Sequence, residues 1–356
     1  MHIKIKIEHW HPGVPDYDVS YRLQVYQTTP SGKEARLTTA QYDLSCDEAP
    51  LIFRGNTVTV PAVFKDNTDK VTVTIKATTR DPEPATAEFQ LPIKNWKLTL
   101  NEDFEGDTLN DKLWTSLGSW GLTDLGGVTI ANSAESLRVH DSMLTIFYQK
   151  ANGRETKLRD GRVVKPDVFS SSVDTVGKFE QQFGCYRCSM RIASPETASG
   201  ACNPAFWLMP PTVKWGEVYL FTQIKGRNAG MGCGEIDIIE YSPQWTPPQY
   251  QITDHWWSAP GKGHFDDEAW HYDDSLWDGK FHDYFCVWTE SDLYYYFDGV
   301  LVKEQHNLQP TGLPAKVMLS LGSAGHKTAN TTWIGHFDIN NLEGMSADFD
   351  YVKVYK

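Results

Sequence analysis

Gly234-Glu235-Ile236-Asp237-Ile238-Ile239-Glu240 places three carboxylates within six residues of otherwise apolar, β-branched sequence. Isoleucine at this density favours a strand. On a regular strand side chains alternate between faces, so Glu235 and Asp237 share one face while Glu240 points into the other. A carboxylate alone among the isoleucines would be costly to bury. One residue bulged out at Ile238 or Ile239 restores the phase and sets Glu235, Asp237 and Glu240 in one row. A bulged strand is therefore expected.

In such a row Glu235 and Glu240 stand four pleated steps apart, roughly 13 Å between Cα atoms. Two glutamates leaning together close most of that gap, toward the separation of about 5 to 5.5 Å that a retaining glycosidase needs. Three carboxylates this close do not all ionise at neutral pH, because each raises the pKa of the others. One acid and one base or nucleophile result. The same spacing also occurs on a solvated strand face or in a calcium site, so the surroundings decide.

The chain has 356 residues, enough for one large domain and a smaller one. Its formal net charge of −13 excludes partners that require a basic surface, namely nucleic acid or an anionic membrane. A neutral polysaccharide fits better, and the 13 tryptophans include rings suited to the apolar faces of sugars. No apolar run approaches the roughly 20 residues of a membrane span, so membrane insertion is not expected. Met1-His2-Ile3-Lys4 opens into an alternating strand rather than a signal sequence. Either the protein is cytoplasmic or a leader was trimmed; the expected setting is secreted, cell-surface or periplasmic, and the expected state is a monomer.

Six cysteines, at positions 46, 185, 188, 202, 233 and 286, are too scattered for a disulfide framework and need not pair. Cys185 and Cys188 form a C-x-x-C, but three positions along a strand they face opposite sides, which argues against a zinc or redox site.

Alternation of apolar and polar residues recurs at Ile3 to Ile7, Tyr21-Leu23-Val25, Val58-Val60, Val71-Val73-Ile75 and Phe89-Leu91-Ile93. Turn-rich breaks such as Pro30-Ser31-Gly32 and Asp81-Pro82-Glu83-Pro84 separate them. Residues 1–95 are thus expected to form a small immunoglobulin-like β-sandwich, either a spacer or a carbohydrate-binding module. Residues 96–356 continue in β-type segments with no long helical pattern, which calls for an all-β, two-sheet jelly-roll sandwich whose concave face holds a linear ligand. Its first and last strands, near Leu98 and Tyr355, should be neighbours. Phe179 to Ile192 reads as one long strand.

Several motifs in order carry a family resemblance. They are Asp103-Phe104-Glu105-Gly106 with Leu113-Trp114, Gly184 to Arg191, Pro204-Ala205-Phe206-Trp207-Leu208-Met209-Pro210, Gly234 to Glu240, Phe281-His282-Asp283-Tyr284 with Asp298-Gly299, and Asp350 to Tyr355. Residues 98–356 resemble glycoside hydrolase family 16, the concanavalin A-like jelly-roll endo-glycanases, in its laminarinase and agarase-type branch. The resemblance implies an endo-acting retaining β-glycosidase with Glu235 as nucleophile and Glu240 as acid and base. Asp237 would hydrogen-bond the nucleophile. It implies no cofactor for catalysis and a structural calcium at Asp350 with the Asp103 region.

For the substrate, Trp207 is expected to face the cleft and Phe206 the core. His255 and Trp257, two residues apart on the next strand, share a face and are further candidates, as is Trp120. The acidic segment His264 to Asp274 reads as a solvated rim loop. The expected polymer is a β-1,3 or mixed-linkage β-glucan. The alternative is a β-linked galactan such as agar, porphyran, carrageenan or a mucin-type glycan, which Lys214, Lys225 and Arg227 would favour if it is anionic. Gly230-Met231-Gly232-Cys233-Gly234 stands where many bacterial members have a tryptophan. The Asn-rich segment common in β-1,3-glucanases is not recognisable between Trp120 and Asn132. A lectin-like binding protein on the same fold is disfavoured by the three intact acids.

Overall fold

The computed structural model describes residues 2–116, 122–125, 127–193, 202–210, 221–224, 232–258, 264–306, 308–310, 314–322, 331–332, 335–342 and 344–356. The chain divides into two compact units, Met1–Lys97 and Leu98–Lys356.

In the first unit the alternating residues turn one face inward: Ile3, Ile5, Tyr21, Leu23, Val25, Val58, Val60, Val73, Ile75 and Leu91 are all buried in one core. Two antiparallel sheets supply it. One holds His2–Ile7, Val19–Thr28, Glu34–Arg36, Ile52–Arg54 and Thr57–Val60, the other Tyr42–Ser45, Thr72–Thr79 and Thr86–Pro92. Val71 lies just outside its strand and is exposed.

The second unit is a sandwich of two larger sheets. Seven strands run in the order Thr115–Ser116, Ser172–Asp174, Lys316–Gly322, Asn203–Met209, Gly232–Tyr241, Gln249–Ser258 and His264–Tyr272. The opposing sheet is built on Leu137–His140, Met143–Phe147, Ser346–Tyr355, Gly184–Ile192, His282–Trp288, Leu293–Phe297 and Val300–Gln305. Leu98–Glu102 joins it against Ser346–Tyr355, with Glu102 opposite Val352, so the first and last strands are neighbours. Phe206, Leu208, Ile236, Ile238 and Ile239 from one sheet share a core with Tyr186, Cys188, Met190, Tyr284 and Trp288 from the other. Each such aliphatic side chain stabilises the fold by about 1.5 to 3 kcal/mol when fully withdrawn from water.

Two of the sequence motifs prove to be packing devices. The buried Glu102 carboxylate accepts the Phe104 backbone N–H at 2.9 Å, the Trp114 indole N–H at 3.1 Å and the Asn110 amide at 3.3 Å. Phe104 stacks on Trp114 with centroids 6.0 Å apart. Asp298, at φ 45° in the turn before Gly299, accepts the Asp283 N–H at 2.8 Å and pairs with His282 Nδ1 at 2.7 Å. Each motif ties a strand end to its sheet.

The long strand expected from Phe179 begins instead at Gly184. Phe183 and Gly184 have φ of 61° and 121°, which breaks the extended chain there. A Cβ at position 184 would sit 2.1 Å from the Tyr355 carbonyl oxygen, so only glycine fits. The segment His264 to Asp274 is not a rim loop: His264–Tyr272 is the edge strand of the seven-stranded sheet. Charged residues are tolerated on an edge strand, and here they disguise its β character.

Candidate active site

The carboxylate strand carries the bulge. Against Gln249–Ser258, Glu235 pairs with His255, Asp237 with Thr253 and Glu240 with Gln251, so three steps on one strand meet two on the other. Against Asn203–Met209, Asp237 pairs with Trp207 and Ile239 with Phe206, and Ile238 is skipped. Ile236, Ile238 and Ile239 are all buried in the sandwich core, at 0%, 2% and 0% exposure. Glu235, Asp237 and Glu240 therefore share the opposite face of the sheet.

On that face His255 Nε2 lies 3.1 Å from Asp237 Oδ2. Single ligand-type atoms of Glu235, Asp237 and His255 lie within 4.8 Å of one another, the one such group of three or more among the described residues. Burial holds the Glu240 carboxyl well above the usual range, and the negative charge of Asp237 pushes it further. The charge of His255 and a hydrogen bond from Asn203 oppose this, and the Glu268 charge adds to it. The row thus contains a carboxyl group that keeps its proton at a pH where an ordinary glutamate has lost it, beside other acids. That is the arrangement of a proton donor next to a nucleophile.

The strand Asn203–Met209 forms the adjoining floor. Phe206 and Leu208 enter the core, whereas Trp207 joins Ala205, Met209 and Met318 in a separate cluster on the acid-row face. Trp207 is opposite Asp237, only 4% exposed, and donates its indole N–H to Ser320 Oγ at 3.1 Å. It is a buried part of the floor rather than an open platform. His255 stands in the row itself. Trp257 occupies the strand position paired with Cys233, but its side chain lies outside the described residues. Trp120, Lys214, Lys225 and Arg227 also lie outside them.

Asp350 lies on the other sheet and Asp103 directly after its strand Leu98–Glu102, and neither is brought to the row. Asp350 accepts from Ser189 Oγ at 3.4 Å, and burial first, then the Asp103 charge, raises its pKa. Lys353 Nζ is 3.6 Å from Asp103 Oδ1. Two carboxylates that repel each other suit a cation. Calcium takes six to eight oxygens, so main-chain carbonyls and water would have to complete the shell.

Asn203, Gln251, Thr253 and Glu268 join the site through strand register. Gln251 and Thr253 show a signal in the alternation Gln249-Tyr250-Gln251-Ile252-Thr253, where Tyr250 and Ile252 are buried in the core. Asn203 shows none.

A two-sheet sandwich with a bulged acid row on one face defines a class of carbohydrate-active jelly rolls. Residues 128–342 match the model of Glycosyl hydrolases family 16, and the chain belongs to that family. It is similar to glucan endo-1,3-beta-glucosidase A1 of Niallia circulans, 24% identical in an alignment of 287 positions that covers 74% of this chain and 38% of that protein. The chain thus spans well under half the length of that curated relative. Among solved structures it resembles the laminarinase catalytic domain of Thermotoga maritima, with TM-score 0.52, 21% identity and coverage of 73% of this chain and 98% of that one. It also resembles an endo-acting O-glycanase of human gut microbiota that initiates mucin breakdown, with TM-score 0.55, 18% identity and coverage of 73% and 91%. At these identities the structural likeness is one of fold.

Proposed function

We propose that this protein is an endo-acting, retaining β-glycosidase that cleaves a β-1,3 or mixed-linkage β-glucan by double displacement. The observation that carries the reading is the bulge, which puts Glu235, Asp237 and Glu240 on one face, where burial and the Asp237 charge raise the Glu240 pKa. In the first step a Glu235 carboxylate oxygen bonds to the anomeric carbon as the glycosidic bond breaks, and Glu240 gives its proton to the departing oxygen. In the second, Glu240 takes a proton from water, the water oxygen bonds to the same carbon, and Glu235 leaves as carboxylate. Asp237, next to Glu235 and paired with His255, positions the nucleophile and biases which carboxyl group holds the proton.

The name of the Niallia circulans relative supports a glucan as the polymer. The rest of the proposal is a monomer in a secreted, cell-surface or periplasmic setting, where such polymers are met. No cofactor takes part in catalysis. The first unit serves as an immunoglobulin-like spacer or carbohydrate-binding module, and Asp103 and Asp350 hold a structural calcium. Incubation with laminarin, lichenan, xyloglucan, agarose, carrageenan and mucin glycans, with products sized, tests the reading. Oligosaccharides from laminarin or lichenan are expected, and inertness toward every polymer would overturn it.

A further inference from the structure

The edge strand His264–Tyr272 brings aromatic side chains to the face of the acid row. Trp270 pairs with Gln251, and Gln251 pairs with Glu240. Directly paired residues on antiparallel strands share a face, so Trp270 stands on the Glu240 side of the sheet, two strand spacings or about 10 Å away. Tyr272 and Glu268, each two residues from Trp270, share that face. Trp270 is 38% exposed and Tyr272 59%.

A lone exposed aromatic residue needs no explanation. Here there are two on one face, and a third braces Trp270. Trp245, in the turn after the carboxylate strand, meets Trp270 edge to face, with centroids 4.7 Å apart and planes at 76°. Trp245 in turn stands 6.5 Å from Tyr241 at the end of that strand. The Trp270 ring is thereby held in one orientation while still in contact with solvent.

The C–H groups of a pyranose face carry slight positive charge and pack against the electron-rich face of an indole. A carboxylate beside such a ring accepts hydrogen bonds from the hydroxyls at the sugar's rim. Glu268 supplies that group. The same carboxylate, with the acid row beyond it, repels a sulfated or carboxylated sugar.

We propose that Trp270, flanked by Tyr272 and Glu268, forms a subsite for an uncharged sugar unit lying beyond the units at the point of cleavage. This rests on reading the acid-row face as a glycan cleft.

Affinity electrophoresis of the full chain in native gels containing laminarin, lichenan or carrageenan tests it. The Glu235→Gln protein, which should leave the polymer intact, is compared with and without Trp270→Ala. Laminarin or lichenan should retard the Glu235→Gln protein, and adding Trp270→Ala should weaken the apparent affinity about tenfold. Trp270→Phe should recover most of the loss, and carrageenan should retard none of them. If the alanine protein does not fold, Trp270→Gln replaces it in the comparison with Trp270→Phe. Equal retardation with and without the Trp270 ring, no retardation by either glucan, or stronger retardation by carrageenan would overturn the proposal. Hydrolysis by the wild type reads the enzyme assignment separately. Trp270-dependent retardation without hydrolysis would leave the subsite standing and fail the enzyme. Hydrolysis indifferent to Trp270 would do the reverse.

Discussion

Glu240 is the residue on which the chemistry turns, because its burial and the Asp237 charge raise its pKa well above the usual carboxylate range. Its folded pKa lies above the unfolded value of about 4.3. Native protein then binds the proton more tightly, so stability falls as pH rises from about 4.3 through the folded value. Glu240→Gln should accordingly raise the melting midpoint at neutral pH, with the gain vanishing in acid, while hydrolysis drops by about two to four orders of magnitude. Calorimetry across pH together with rates on the polymer checks both, and a variant that is unstabilised and near-normal in rate would contradict the assignment. Removing the Glu268 charge with Glu268→Gln should lower the Glu240 pKa and move the alkaline limb of the pH profile of kcat to lower pH. A limb that stays in place would show that Glu268 does not act on Glu240. At this scale the site was largely legible in the sequence. Three acids spaced out of phase with a strand imply both a bulge and a crowded row. Asn203 and Trp270 were not legible, because what places them by the row is pairing with other strands, and pairing is not written locally.

Within the carboxylate strand, the bulge absorbs one surplus residue without changing the partner's register. Glu235 to Glu240 spans four positions of the neighbouring strand, from His255 to Gln251. Deleting Ile238 should therefore leave a regular strand with the three acids still on one face. Because Ile238 is 2% exposed, the loss should cost about 2 to 5 kcal/mol of stability. The deletion variant should remain measurably active yet melt earlier, and a folded but wholly inactive variant would show that the bulge itself shapes the site. The strand end at His282 behaves differently. Its hydrogen bond to Asp298 first, and the nearby Asp278 as well, raise its pKa. That contribution is present in full below about pH 6.5 and is lost as pH rises through the folded value. His282→Gln should lower the melting midpoint at pH 5 more than at pH 9. Equal losses at both would rule out the charged pair. Alternation revealed most strands, but it failed at Phe179–Gly184 and at His264–Tyr272. In the first the positive φ of Phe183 and Gly184 interrupts the extended chain, and in the second an edge position permits charges.

Across the whole chain, the two units have separate apolar cores, one on Leu23, Val58 and Ile75, the other on Ile236, Tyr284 and Trp288. Separate cores predict that residues 98–356 alone keep hydrolytic activity on short oligosaccharides, and loss of all activity in a folded fragment would contradict this. The first unit ends at Lys97, and the turn-rich spacing of the small strands places the end of the first domain near Asn95. The neighbour order of the seven-stranded sheet was not legible, since each strand's partners are set by contacts distant in sequence. The central claim is that Glu235 and Glu240 act by double displacement on one face of that sheet. Proton NMR of the first reducing ends released from laminarin or lichenan tests it most directly. Double displacement releases the β-anomer first, with the α-anomer growing in only by mutarotation, and initial release of the α-anomer would contradict it.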